Sequence, residues 1–136
     1  MKNEYNHTPH RVYSMKAHIV LVTKYRKSIL QNEIDVELKK IMYEIGSFWG
    51  FEIEAIETDL NHVHILIDYS FRDRIDKIID SIKMNSTKKL WKTFDSELSQ
   101  VFSKERTLWS DGAFVCSIGY ASTEIVANYI NNQKTK

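Results

Sequence analysis

Asn61-His62-Val63-His64-Ile65-Leu66-Ile67-Asp68 is the stretch from which the fold is read. Val63, Ile65 and Ile67 alternate with His62, His64, Leu66 and Asp68, the two-residue period of a β-strand. Successive side chains of a strand point to opposite faces, so the β-branched set faces one way and both imidazoles the other. Histidines two positions apart on one face are close enough for a single metal ion to take a nitrogen from each. A bare His-x-His is equally the mark of a half-buried strand with polar residues on its wet face, because two histidines do not complete a metal site.

Upstream, Phe51 to Ile56 alternates cleanly as another strand, and Thr58-Asp59-Leu60-Asn61 turns from it into the histidine strand, which predicts a hairpin. Before that, Ile34, Leu38, Ile41, Ile45 and Phe48 recur at three- and four-residue steps, an amphipathic helix over 31–49 that Gly50 ends. Lys16 to Thr23 reads as a strand apolar on both faces, as a central strand is. The basic, aromatic loop Lys24-Tyr25-Arg26-Lys27 follows it, and residues 1–13, with the only proline, read as a loose arm.

Downstream, Ile75, Ile78, Ile79, Ile82 and Leu90 give the apolar side of a helix over 72–94. Asn85, Lys88, Lys89 and Lys92 form a cationic stripe on it, with Lys83 off the stripe. Residues 95–106 read as helix or loop, and Ala113 to Ile118 as a fourth strand. Ser122 is a plausible N-cap, with Glu124 at the positive end of the dipole, for a last helix reaching Gln133. The order is βαββαβ plus a C-terminal helix. It predicts an α+β, ferredoxin-like (RRM-like) antiparallel sheet with its main helices on one face and its first and third strands central. His62 and His64 then emerge on the open face.

A chain of 136 residues with ordinary apolar and charged fractions predicts a single globular domain, 1–136. Its longest aliphatic run, Ile19-Val20-Leu21-Val22, is too short to span a bilayer, and its first residues lack the apolar core of a signal peptide. The single Cys116 excludes an intrachain disulfide and a cysteine-built zinc site. These features predict a reducing, cytoplasmic setting. A net charge of +1 does not announce a nucleic-acid binder, but Lys24, Arg26 and Lys27, with Lys83, Lys88, Lys89 and Lys92, allow basic patches on either side of the acidic Glu52, Glu54, Glu57 and Asp59.

The last helix carries a second constellation. Ile125, Tyr129 and Gln133 share one side of it, flanked by Val126 and Ile130. Taken alone, a tyrosine on such a stripe is usually packing, and the Gln133 amide is a candidate third metal ligand.

Thr58-Asp59-Leu60-Asn61-His62-Val63-His64-Ile65-Leu66 resembles the His-hydrophobic-His motif of the single-tyrosine HUH transposases. These are the enzymes of small bacterial and archaeal insertion sequences that move as single-stranded DNA. Ala17-His18-Ile19-Val20 through Lys24-Tyr25-Arg26-Lys27 resembles the family's first strand and Lys-Tyr-Arg loop. Leu108-Trp109-Ser110-Asp111 and Phe114-Val115 to Ser117-Ile118-Gly119 resemble its fourth-strand region, and Tyr129-Ile130-Asn131-Asn132-Gln133 its tyrosine helix. The pieces run in order over residues 13 to 133.

The resemblance implies that Tyr129 is a nucleophile forming a 5′-phosphotyrosine with single-stranded DNA, and that His62, His64 and Gln133 hold one divalent cation, Mg2+ or Mn2+. It also implies a homodimer, with the tyrosine acting in cis or in trans, that recognises hairpin-forming element ends. For DNA contacts the candidates are Arg11, Lys24, Arg26, Lys27, Lys83, Lys88, Lys89 and Lys92, with Tyr25 or Phe71 stacking an unpaired base and His10 as a weaker candidate. Asn61 departs from the family pattern, where an acidic residue often precedes the first histidine. Other readings are a domesticated relative, an RRM-like binding module without strand transfer, and a His-x-His metallohydrolase. The first would lack flanking hairpin-forming ends, the second would have no need of Tyr129, and the third would form no covalent adduct.

Overall fold

A computed structural model of the chain describes residues 6–8, 11–13 and 15–118. Its elements are β1 (Asn6–Thr8), β2 (Arg11–Tyr13), β3 (Met15–Val22), α1 (Asn32–Trp49), β4 (Glu52–Asp59), β5 (His62–Tyr69), α2 (Ile75–Thr93), α3 (Asp95–Phe102) and β6 (Phe114–Ile118). The main sheet has the order β4-β5-β3-β6 with every neighbour antiparallel. Its central strands, β3 and β5, are the first and third of the βαββαβ unit, as the ferredoxin-like reading expects.

The two central strands owe their position to sequence that is apolar on the helix side without a break. Ala17 pairs with Ile67, Ile19 with Ile65, and Leu21 with Val63. All of them are buried beneath Leu38, Ile41, Met42 and Ile45 of α1 and Ile78, Ile82, Leu90 and Trp91 of α2. Each such valine, leucine or isoleucine contributes about 1.5–3 kcal/mol by leaving water. Across the sheet lie Lys16, His18 and Val20 of β3 beside His62, His64, Leu66 and Asp68 of β5, with Leu66 packed on Ala55 and Ile118 in a small separate cluster.

Four local expectations change. Within the arm expected at 1–13, the described residues 6–8 and 11–13 pair as a two-stranded ribbon, β1 with β2, with Thr8 opposite Arg11. β4 does not alternate cleanly: its register shifts between Ile53 and Ala55, so Glu54 is the extra residue of a bulge. Phe48, placed by periodicity with the core, is 82% exposed and stands edge-on to Trp49. The chain reverses at Gly50 in the left-handed region, and Phe51 folds back with its N–H donating to Gly46 O. Phe51 thus caps that end of the core in place of Phe48, and a Cβ on Gly46 would stand 2.8 Å from the Phe51 carbonyl oxygen. Finally, the ambiguous 95–106 stretch resolves as α3 over Asp95–Phe102, followed by a non-helical run.

The loop before β6 is tied to the rest by polar groups. Trp109 Nε1 donates to Ser86 Oγ at 2.9 Å, Trp91 Nε1 to Thr107 O at 2.7 Å, and Lys24 N–H to Leu108 O at 2.8 Å. These bonds bring the last turns of α2 and the turn after β3 to one end of the sheet. Among the described residues no helix is long and apolar enough to cross a membrane.

Candidate active site

The hairpin β4–β5 sets the site's register. Its two-residue connection, Leu60-Asn61, puts Asp59 opposite His62 and Glu57 opposite His64. On the other side of β5, Val22 faces His62 and Val20 faces His64. The rings of His62 and His64 lie 6.4 Å apart between centres and within 23° of parallel, side by side on the open face. The acidic stretch of β4 is therefore not merely a solvated run, since two of its carboxylates flank the imidazoles.

A third histidine joins them. His18, on the same face of β3, puts its Nε2 3.3 Å from His64 Nδ1. From the sequence His18 either faces the site or is a structural strand histidine, the commoner role, and the structure places it at the site. The signal that could have found it is parity: His18 and Val20 share a face of β3, and the antiparallel register carries that face beside His64.

Burial disfavours the charged form of His18 and lowers its pKa to about 4, with the charge of His64 adding to the effect. Burial lowers His64 as well, assisted by His62 and opposed by Asp59 and Glu57. Both rings are consequently neutral near pH 7, with lone pairs available to a cation. Neutral imidazoles beside carboxylates are a donor set that fits a divalent ion tolerant of nitrogen, manganese more readily than magnesium.

Further along the same face lies a different group. Glu52, Glu54 and Asp68 bring carboxylate oxygens within 4.8 Å of one another, a spacing that could hold a metal. The Lys16 ammonium already occupies this cluster, 2.5 Å from Glu54 Oε2 and 3.5 Å from Asp68 Oδ2, and is itself buried. Glu54, the bulge residue, meets Lys16 there. A fixed cation makes this an internal ion-pair cluster.

The basic residues divide between two ends. Lys24–Arg26 is a single 3-10 turn whose Tyr25 and Arg26 have positive φ. It sits at the His62 end of the sheet, since Thr23 N–H donates to Asn61 O and Asn61 Nδ2 donates to Arg26 O at 3.3 Å. The Asn61 amide is thus spent on the turn. Tyr25, 60% exposed, donates its hydroxyl to Glu105 Oε1 at 2.8 Å, a bond that raises its pKa. Lys27, Lys88 and Lys92 are exposed, while Lys89 stands 3.8 Å from Glu44.

Lys83 is committed elsewhere, its ammonium donating to the carbonyls of Ser110 and Gly112. Phe71 lies at the opposite end, just past the residue pair Met15–Tyr69, with the Arg72 guanidinium 5.8 Å from its ring centre. Arg11 lies in β2, apart from the main sheet's ladder. Tyr129, Gln133 and the helix expected to carry them lie outside the described residues, as does His10.

The family model described as "Transposase IS200 like" matches residues 11–133. Among curated proteins, the ISDra2 transposase TnpA of Deinococcus radiodurans is 22% identical over 125 residues, covering 92% of this chain and 88% of that protein. The transposase for insertion sequence element IS200 of Salmonella typhimurium is 23% identical, covering 91% and 80% respectively. Among solved structures, a transposase from Deinococcus radiodurans R1 superposes with a TM-score of 0.77 at 26% identity, covering 94% of this chain and 97% of that one. A REP-associated tyrosine transposase bound to a REP hairpin shares the fold, with a TM-score of 0.58 at 15% identity, covering 96% and 74%. With the matched region running from β2 to beyond β6 and the histidine strand at its centre, the chain belongs to the IS200-like transposase family.

Proposed function

We propose that this transposase cleaves and rejoins single-stranded DNA at the ends of its element through a 5′-phosphotyrosine intermediate on Tyr129. The observation that carries the reading is the pair His62 and His64, side by side on the open face with Asp59 and Glu57 across from them. His62, His64 and Gln133 would hold one Mg2+ or Mn2+ ion. When bound, that ion supplies Lewis acidity at a non-bridging phosphate oxygen.

The chain's own part is attack and positioning. Tyr129 Oη forms a bond to phosphorus as the bond from phosphorus to the 3′-oxygen breaks. The phenolic proton passes to a base, and the departing 3′-oxygen takes up a proton to leave as a hydroxyl. A phenol of pKa about 10 is weakly nucleophilic at pH 7, so the proton must be drawn off as the bond forms. Attack by another 3′-hydroxyl reverses the step. The tyrosyl ester conserves the bond, so rejoining needs no nucleotide triphosphate.

Lys24, Arg26, Lys27, Lys88 and Lys92 would neutralise phosphates, with Lys89 and Arg11 as further contacts. Lys83 would act indirectly by holding the Ser110–Gly112 loop. Phe71, 39% exposed, would stack an unpaired base, as would Tyr25. Hairpin-forming ends are the proposed substrate, a reading that the hairpin-bound relative supports. We further propose that residues 1–136 act as one domain, that the working unit is a homodimer, and that it resides in the cytoplasm, on the nucleoid when bound to DNA.

The test mixes the full chain with manganese and single-stranded oligonucleotides from the flanks of its own gene and reads denaturing gels for a protein–DNA adduct. An adduct that needs metal and disappears in Tyr129→Phe and His62→Ala supports the reading. Cleavage that persists in Tyr129→Phe overturns it, and tight hairpin binding without any adduct points to a domesticated copy.

A further inference from the structure

The contact between His18 and His64 has a geometry that distinguishes a hydrogen bond from other pairings. The planes of the two rings are within 17° of parallel, and their centres are 5.5 Å apart. That distance is close to the 3.3 Å between His18 Nε2 and His64 Nδ1 plus the two ring radii. The nitrogens therefore face each other along the line of centres, in the plane of both rings, and the rings are edge to edge. A cation shared on that line would sit at half of 3.3 Å from each nitrogen, well short of a metal–imidazole bond of about 2.0–2.1 Å. An N–H···N hydrogen bond is what the arrangement accommodates.

We infer that His18 is the positioning residue of the histidine pair: it engages Nδ1 of His64 and so leaves Nε2 of His64 as the nitrogen that faces a cation. The inference rests on the proposal that His62 and His64 are metal ligands. With the proton on its Nδ1, His64 donates to His18 Nε2, and the lone pair on His64 Nε2 is fixed in direction by a ring that cannot rotate without breaking the bond. His18 is itself held firmly. It is 1% exposed, and Phe114 of β6 abuts it edge-on at 6.0 Å and 72°. β3 and β6 thus reach the proposed metal through His18 without contributing a ligand. Outer partners of this kind are worth about 10–100-fold in metal affinity.

The experiment measures manganese affinity by the electron paramagnetic resonance of free Mn2+ on the full-length protein, together with His18→Leu and His18→Gln. Thermal melting establishes that each variant is folded. Leu removes the acceptor, whereas Gln can return an amide oxygen near the position of Nε2. His18→Leu is expected to weaken manganese binding about 10–100-fold, and His18→Gln to recover most of the loss. On the metal-free wild type, 15N NMR should show a protonated His64 Nδ1 coupled across a hydrogen bond to His18 Nε2. That measurement decides the matter if the Leu variant does not fold.

Unchanged affinity in a folded His18→Leu would overturn the inference while leaving the metal reading intact. Three imidazole nitrogens coupled to the bound manganese in pulsed spectra would also overturn it, by making His18 a ligand. Wild-type protein that bound no manganese would remove the metal reading and this inference with it.

Discussion

Ile65 and His64 are consecutive in β5 and both are buried, yet Ile65 lies among aliphatic side chains under the helices and His64 lies among imidazoles and carboxylates. The helix-side face is held together by volume: what matters there is that methyl groups fill space and exclude water. The open face is held by matched polar groups, where burial is costly unless each charge or lone pair has its partner. One strand serves both because its side-chain period is two, so a substitution moved by a single residue should change which property is lost.

The largest effect is expected at the Lys16 cluster. Lys16→Met keeps the length of the side chain but leaves Glu54 and Asp68 without the ammonium between them. Taking the ammonium away from these carboxylates should cost up to about 3–5 kcal/mol, to be read as a lower urea midpoint. Loss below about 1 kcal/mol would mean that the open face is more solvated than its burial suggests.

Next comes the neighbouring pair itself. Ile65→Ala opens a cavity under the helices and should cost about 2–5 kcal/mol, while folded molecules still form the DNA adduct. His64→Ala should abolish the adduct with a smaller change in unfolding free energy. Urea titration and adduct gels on the same samples separate the two, and the comparison breaks if both variants lose the same property.

A smaller effect should appear with pH. The folded-state pKa of His18 is about 4 against 6.5 for the ordinary group, so the unfolded chain takes up the proton first as pH falls. The stability this confers is complete above pH 6.5, is lost as the pH drops from 6.5 towards 4, and changes no further below that. At 1.36 kcal/mol per pKa unit, the change is at most about 3 kcal/mol. Unfolding of the wild type and His18→Gln across this range isolates it, because the glutamine does not titrate. A wild type no steeper than the variant would contradict the assignment.

The smallest effect lies on the outer surface of the helices. Lys89 and Glu44 are half exposed and 3.8 Å apart, so Lys89→Ala should change stability by less than about 1 kcal/mol. If DNA is bound there, the same substitution should instead lower the salt dependence of binding.

What was legible in the sequence was whatever local pattern controls. The two-residue period of 62–68 and the helical period of 34–45 gave the topology and the facing of the histidines. The hairpin turn gave strand pairing, and from it the positions of Asp59 and Glu57 could also have been read. What was not legible depends on tertiary partners. Phe48 fits the helical period but is displaced at the core by Phe51 once the chain reverses at Gly50. Glu54 is the bulge residue, so Ala55 and not Glu54 stands opposite Leu66 and packs on it. Lys83 looks like a free cation in sequence and proves to be a donor to two carbonyls 27 and 29 residues away. His18 looks like one polar residue in a strand until β5 lies alongside it.

The central claim is that Tyr129 is the nucleophile and that the open face serves it. Mass spectrometry of peptides from the protein–DNA adduct tests this most directly. The account predicts nucleotide mass on the peptide containing Tyr129, joined through a 5′-phosphate, and no such mass on Tyr25, whose hydroxyl is bonded to Glu105 and held protonated. Nucleotide attached to Tyr25 or to any residue other than Tyr129, or cleaved DNA with no protein attached, would contradict it.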